Sequence, residues 1–324
     1  MEAIKIAKRP RLRSPYLICA WPGMGEVAFK AATYLIEKLQ PEEFAEINPQ
    51  DYFYTTASVI QEGILSIPQL PYSKFYYWRN KTGKNDLIIF VSNAQPDLAR
   101  AEGYCQNIIS LAKSFKVKRV IGFAASPQPI DHLHAPKVWF SATSTQTRDQ
   151  LKKYNLDLFA EGAISGMNGL FLGLAKREGL DGFCLLGEIP LYTIQIENPK
   201  ASYAVLDALN RVLGISLDLA PLLEQSRSFE GEINKLLDFL KLGNPGHGEG
   251  PIGEEEIERI KKSLGQLTKL PLSVKDKIDK LFLEAKTDIN KATELKAELD
   301  NWNIYKEYED RFLDLFKKSK DKNN

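Results

Sequence analysis

The apolar positions of this chain change rhythm along its length. YLICAW (16–21), flanked by Pro15 and Pro22, is an unbroken apolar run, whereas EVAFKAATYLIEKL (26–39) behind it spaces its apolar residues at helical period. The pair predicts a buried strand feeding a helix. FYTTASVI, KFYYWRN and DLIIFVSNA follow as β-rich runs, DLARAEGYCQNIISLAKSF as a helix, and VKRVIGFAAS as another buried strand. KVWFSATS, a helical TQTRDQLKKY, DGFCLLGEI and a helical ASYAVLDALNRVLGI carry the alternation on. Buried strands separated by helices imply right-handed crossovers, so the fold class is α/β, a mainly parallel sheet flanked by helices.

Near Leu219 the pattern changes. LLEQSRSFEGEINKLLDFLKL is amphipathic, GNPGHGEGPIGEEE brings Gly, Pro and charge, and the remaining segments are charged on one face and Leu/Ile/Phe-rich on the other. The chain therefore divides into a basic arm at 1–13, an α/β domain at 14–220, and a helical extension at 221–324 with a Gly/Pro-rich linker near 243–253. An amphipathic helix must bury its apolar face somewhere, so the extension reads as a helical hairpin or short coiled coil offering an oligomerisation or partner surface.

The 324 residues, 44% hydrophobic and 26% charged, describe an ordinary globular chain, and the net charge of +1 provides no global field for nucleic acid or an anionic membrane. Lys5, Lys8, Arg9, Arg11 and Arg13 carry no interleaved aromatics and read as a solvated arm. Phe75-Tyr76-Tyr77-Trp78 reads as an edge or interface strand, not a base-stacking surface. Cys19, Cys105 and Cys184 lie far apart in apolar settings and read as buried, reduced thiols. With no signal-peptide core and no membrane-length apolar run, a cytoplasmic protein is expected.

Three local signals suggest chemistry. WPGMGEVA contains Gly23-Met24-Gly25-Glu26-Val27-Ala28, a G-x-G-x-x-A spacing at a strand-to-helix junction, with Glu46 or Asp51 about 20 residues on. That is the dinucleotide fingerprint, although Pro22 directly precedes it and FAEINPQDYF makes a poor second buried strand. GAISGMNGLFLGLA (162–175) holds four glycines and must deliver a loop into a helix, with Ser165 and Asn168 near its start and Gly166 and Gly169 around them. Glu188 directly follows the apolar strand of LLGEIP, where strand ends line the crevice of an open sheet, and suits either a general acid–base or a loop-anchoring carboxylate. Asp131-His132-Leu133-His134 offers two imidazoles and one acid, but no further ligand follows by spacing, so no metal is expected. Phosphate-loop, nucleophile-elbow and H-E-x-x-H signatures are missing.

Taken in order, PGMGEVAFKAATYLIEKL, GAISGMNGLFLGLAKREGLDGFCLLGEIP and NPKASYAVLDALNRVLGISLD resemble the proteasome assembly chaperone 2 family, notably its stand-alone archaeal and bacterial members, over roughly residues 14–220. The resemblance implies a phosphorylase/hydrolase-like domain that self-associates, with proteasome-ring assembly as the work of eukaryotic relatives. The motif positions here are Gly23, Gly25, Gly166, Asn168, Gly169, Glu188 and Pro190. With Met24 and Ser165 they are expected to surround one crevice, Glu188 being the candidate for any catalysis. Some members have been labelled ATP-grasp or carboxylate-amine ligase relatives, but no set of metal-holding acids supports that here. The chain closes on SKDKNN (319–324), unlike the hydrophobic-Tyr-any tail by which some members dock. The resulting expectation is a homo-oligomer acting on a protein partner, proteasome-like or another assembly, with no cofactor, nucleic acid or membrane. The alternative is a small-molecule enzyme, a ligase or a nucleoside or amide hydrolase, using the two glycine loops and Glu188.

Overall fold

The computed structural model describes residues 3–81, 84–128, 130–242, 272–288, 290–301 and 304–317. They fall into two units, Met1–Ile233 and Asn234–Asn324. The first holds a nine-stranded sheet in the order β1 (Ile4–Ile6), β3 (Glu42–Ile47), β6 (Ser73–Trp78), β7 (Leu87–Ser92), β2 (Tyr16–Ala20), β8 (Arg119–Gln128), β11 (Gly182–Pro190), β9 (Val138–Ala142) and β10 (Asp157–Leu158). β4 (Val59–Gln61) and β5 (Ile64–Ser66) form a separate hairpin.

The central strands β7, β2, β8 and β11 are parallel. Both faces are covered, which is why these segments read as continuous apolar runs. α1 (Val27–Leu39), α5 (Pro199–Leu213) and the start of α6 (Ala220–Leu242) bury one face. α2 (Ala101–Ser114) and α4 (Met167–Arg177) bury the other. α3 (Thr145–Leu151) follows β9 and sends Leu151 into the α1/α5 layer.

The flanks of the sheet are antiparallel, from β1 through β3 and β6 to β7 and again between β11 and β9. Two expectations change as a result. Phe75-Tyr76-Tyr77-Trp78 belongs to β6, an interior strand between β3 and β7, with Phe75 and Tyr77 buried. Its outer neighbour is the unpromising FAEI segment, which forms a strand because Phe44 fits a buried cluster with Phe75, Tyr77 and Phe115. The basic arm is likewise docked instead of free. Ile4–Ile6 pair with Ala45–Ile47, Lys5 and Lys8 meet Glu46 and Glu42 across the strands, and Arg9 lies over the Phe115 ring.

The second unit contains α7 (Leu272–Thr287), α8 (Lys291–Asn301) and α9 (Tyr305–Lys317) around a core of Ile278, Phe282, Leu295, Leu299 and Phe312. Arg311 lies 4.1 Å from the Phe282 ring and bonds Asp279 at 2.7 Å. The linker expected near 243–253 lies outside the described residues. Among those described, no helix is long and apolar enough to cross a membrane.

Between α1 and the entry to α5, Lys30 Nζ and Glu197 Oε1 lie 3.0 Å apart with both side chains buried. Removing one partner leaves an uncompensated buried charge, whereas replacing both with apolar residues does not. Glu197→Ala is therefore expected to lower unfolding free energy by about 3–5 kcal/mol in urea titration, and Lys30→Met with Glu197→Leu to recover most of that loss.

Candidate functional site

The first glycine loop and the helix after the second are joined by one side chain. The Asn168 carboxamide, in the first turn of α4, accepts from Trp21 N at 3.0 Å and donates to Trp21 O at 3.0 Å. Trp21 lies just beyond β2, its ring wedged against Phe90, Tyr104 and Phe171. Both backbone groups of such a residue must find partners, and Asn168 supplies them as an adjacent strand would.

Gln95, in the loop after β7, makes the second tie. Its Nε2 donates to Pro22 O at 2.8 Å and its Oε1 accepts from Met167 N at 3.1 Å. The chain enters α4 through Gly166 at φ +71°, and it crosses itself at Gly169, where a Cβ would lie 1.8 Å from the Ile164 carbonyl oxygen. Only glycine permits that approach.

Gly23, Met24, Ser165, Gly166 and Asn168 thereby come together on one cavity of about 280 Å³, with Gln95 among its walls. The floor is the end of β8, including buried Ser126, whose hydroxyl accepts from Gln128 Nε2 at 3.1 Å. Gly25 and Gly169 are not among its walls: Gly25 packs near Ile189 and Asn198, and Gly169 lines a separate cavity of about 790 Å³. Gln95 and Ser126 were not singled out in the sequence; the signal was the polar ending of two buried runs, FVSNAQPD and FAASPQ, since such ends line open-sheet crevices.

Glu188 lies elsewhere. Its carboxylate accepts from Lys137 N and Trp139 Nε1, each at 2.9 Å, and Glu188 N donates to Lys137 O at 3.1 Å. It fastens β9 and the segment before it to β11, and it is not among the cavity's walls. The loop-anchoring carboxylate of the two sequence readings is the one this geometry matches.

The dinucleotide reading fails on topology and on donors. The acid of that fold ends the strand beside the first, but β3 lies three places from β2, and Glu46 instead pairs with Lys5. Two of the turn's amides are engaged within the fold: Gly25 N donates to Ile194 O at 2.7 Å and Glu26 N to Gly23 O at 2.9 Å. His132 is buried, its Nδ1 2.9 Å from the Tyr192 hydroxyl, while Lys200 Nζ donates to the His132 and Leu133 carbonyls. The motif thus forms an anchored loop, and no group of three His, Cys, Asp or Glu among the described residues is placed to hold a metal.

One group near the first loop has an altered acidity. Burial, with the charge of Glu197 second, pushes the Glu26 carboxyl up to about 7, against a weaker opposing bond from the Gly23 backbone. Glu26 also holds a left-handed backbone, φ +51°, immediately before α1.

The PAC2 family model matches residues 17–237. An uncharacterized protein of Methanocaldococcus jannaschii is 26% identical over 255 residues, covering 77% of this chain and 93% of that protein. Among solved structures, Pyrococcus furiosus PbaB, described as an archaeal proteasome activator, is 26% identical with a TM-score of 0.63, covering 72% of this chain and 98% of that one. Pyrococcus furiosus PbaA, described as an archaeal homolog of proteasome-assembly chaperone, shares the fold at 22% identity and a TM-score of 0.58, covering 81% of this chain and 99% of that one.

Asn168→Ala strands both backbone groups of Trp21 and should cost roughly 1–3 kcal/mol for each in chemical denaturation. Glu26 is protonated more readily folded than unfolded, so its contribution to stability is fully present below about pH 4.5 and is lost as pH rises towards about 7. Glu26→Gln should therefore match the wild type at pH 4.5 and exceed it above pH 7 by on the order of 2 kcal/mol, read from unfolding midpoints across that range.

Proposed function

The chain belongs to the PAC2 family, and from that premise we propose that it is a homo-oligomeric assembly factor of the proteasome-assembly-chaperone type. It works in the cytoplasm through protein–protein contact and catalyses no reaction of its own. One observation carries the second half of this reading. Glu188, the carboxylate that the sequence offers for catalysis, and Asn168 of the second glycine loop both have each end of their functional groups engaged by the fold itself. A general acid or base needs a face open to substrate. The descriptions of PbaB and PbaA support a protein partner of the proteasome kind.

The cavity favours a second reading. About 280 Å³ is close to the lower bound of roughly 300 Å³ for small-molecule sites, and its walls mix Gln95, Ser126 and Ser165 with apolar groups. A ligase or a nucleoside or amide hydrolase would place its ligand there.

Native mass spectrometry of the full chain, purified gently from its own cells, separates the two. The expected species is a symmetric oligomer carrying a stoichiometric second polypeptide, with a mass matching a proteasome subunit or another assembly component. An oligomer retaining only a small bound mass supports the cavity reading. A strict monomer with neither overturns the assembly-factor reading.

A further inference from the structure

Every residue from 54 to 67 is exposed, and this stretch includes the whole β4–β5 hairpin. The hairpin closes on Glu62 and Gly63, both at positive φ (+50° and +78°), a two-residue turn whose twist suits the strands it joins. Its register pairs Val59 with Ser66, Ile60 with Leu65 and Gln61 with Ile64. Alternation then puts Ile60 and Leu65 on one face of the ribbon, and Val59 and Ile64 on the other. Neither face packs on the domain that carries it. A lone two-stranded ribbon is marginal in water, and one with aliphatic groups on both faces requires a cover.

The surface continues beyond the ribbon. Arg100 Nε donates to the Tyr54 hydroxyl at 3.1 Å, and Asp97 N donates to Tyr52 O at 3.0 Å, which sets the short turn of Leu98 beside the chain entering the hairpin. Leu98 is 89% exposed and Ile67, just past β5, 78%.

We propose that this hairpin arm is the surface through which two copies of the chain associate. Three features select a second copy as the occupant. Val59, Ile60, Ile64, Leu65, Ile67 and Leu98, at 40–89% exposure, gather six large aliphatic side chains on one arm with no cover from their own domain, the kind of patch that marks an association surface. Between Tyr54 and Tyr72 the only charged residue is Glu62, at the tip of the turn, so the surface offers a charged partner little to recognise but meets its own copy almost without like-charge repulsion. The ribbon also belongs to no larger sheet, and its strands lack the lysines and prolines that guard free edges. An antiparallel edge pairs naturally with itself across a twofold axis, where one patch serves both partners.

This deepens the self-association in the proposed function and rests on it. Sedimentation velocity of the full chain across the micromolar range, compared with an Ile60→Lys, Leu65→Lys variant, provides the test. Both substitutions fall on exposed positions, so folding is expected to be unchanged by circular dichroism, and self-affinity to fall roughly 100-fold or more. A second measurement uses the burial of Cys19, Cys105 and Cys184. Gln61→Cys should form a disulfide-linked dimer on mild oxidation, while exposed Lys153→Cys should not. An oligomer unchanged by the lysine pair, with no cross-link through position 61, overturns the hairpin as the interface and leaves self-association standing. A wild-type chain that stays monomeric overturns both.

Discussion

The crevice depends on two hydrogen bonds made by one carboxamide. Without Asn168, the residue after the central strand would carry an unpaired N–H and C=O into the interior, and only Gln95 would still tie the start of α4 to the first loop. Everything around it is adjusted to that contact. Gly23 leaves room, since a Cβ there would stand 3.2 Å from Asn168 Nδ2. Gly169 lets the Ile164 carbonyl pass close enough for α4 to begin where it must. Gln95 repeats the principle from a third loop, bonding the backbone of both segments. Three loops separated widely in sequence are thus tied by amide side chains imitating backbone, an arrangement that uses polar groups for shape.

That use of polar groups explains which parts of the site could be read in sequence. The glycine runs were legible because glycine density at a strand–helix junction has few explanations, and their convergence follows from the parallel order of the central strands. The direction of Glu188 was not legible. A carboxylate at a strand end suits a crevice or a neighbouring strand equally, and the choice is made by Trp139 and the Lys137 amide, which only the antiparallel return of β9 brings alongside. The polar ending of FVSNAQPD marks the strand end that carries Gln95, but nothing in that ending distinguishes this amide from its polar neighbours.

The fold shows a similar division. Parallel strands buried on both faces give a strong signal, so β2, β7, β8 and β11 stand out. The antiparallel flank does not: FAEI is short and half polar, and it forms a strand because the aromatic cluster of Phe44, Phe75 and Phe115 favours it over its local propensity. The basic arm reads as a charged tail because its pairing partners lie far along the chain, Glu42 34 residues from Lys8 and Glu46 41 residues from Lys5. Tertiary contact overrides local composition in both cases.

The ion pair between α1 and the entry to α5 also bears on how the domain responds to heat. Hydration of charged groups becomes less favourable as temperature rises, so the penalty for holding Lys30 and Glu197 away from water shrinks on warming, while the stabilisation from each unit of apolar contact levels off. A joint that is costly to build in cool water therefore becomes relatively stronger as the rest of the domain approaches melting, and thermal loosening should begin in other parts of the sheet–helix layers before it parts α1 from the entry to α5.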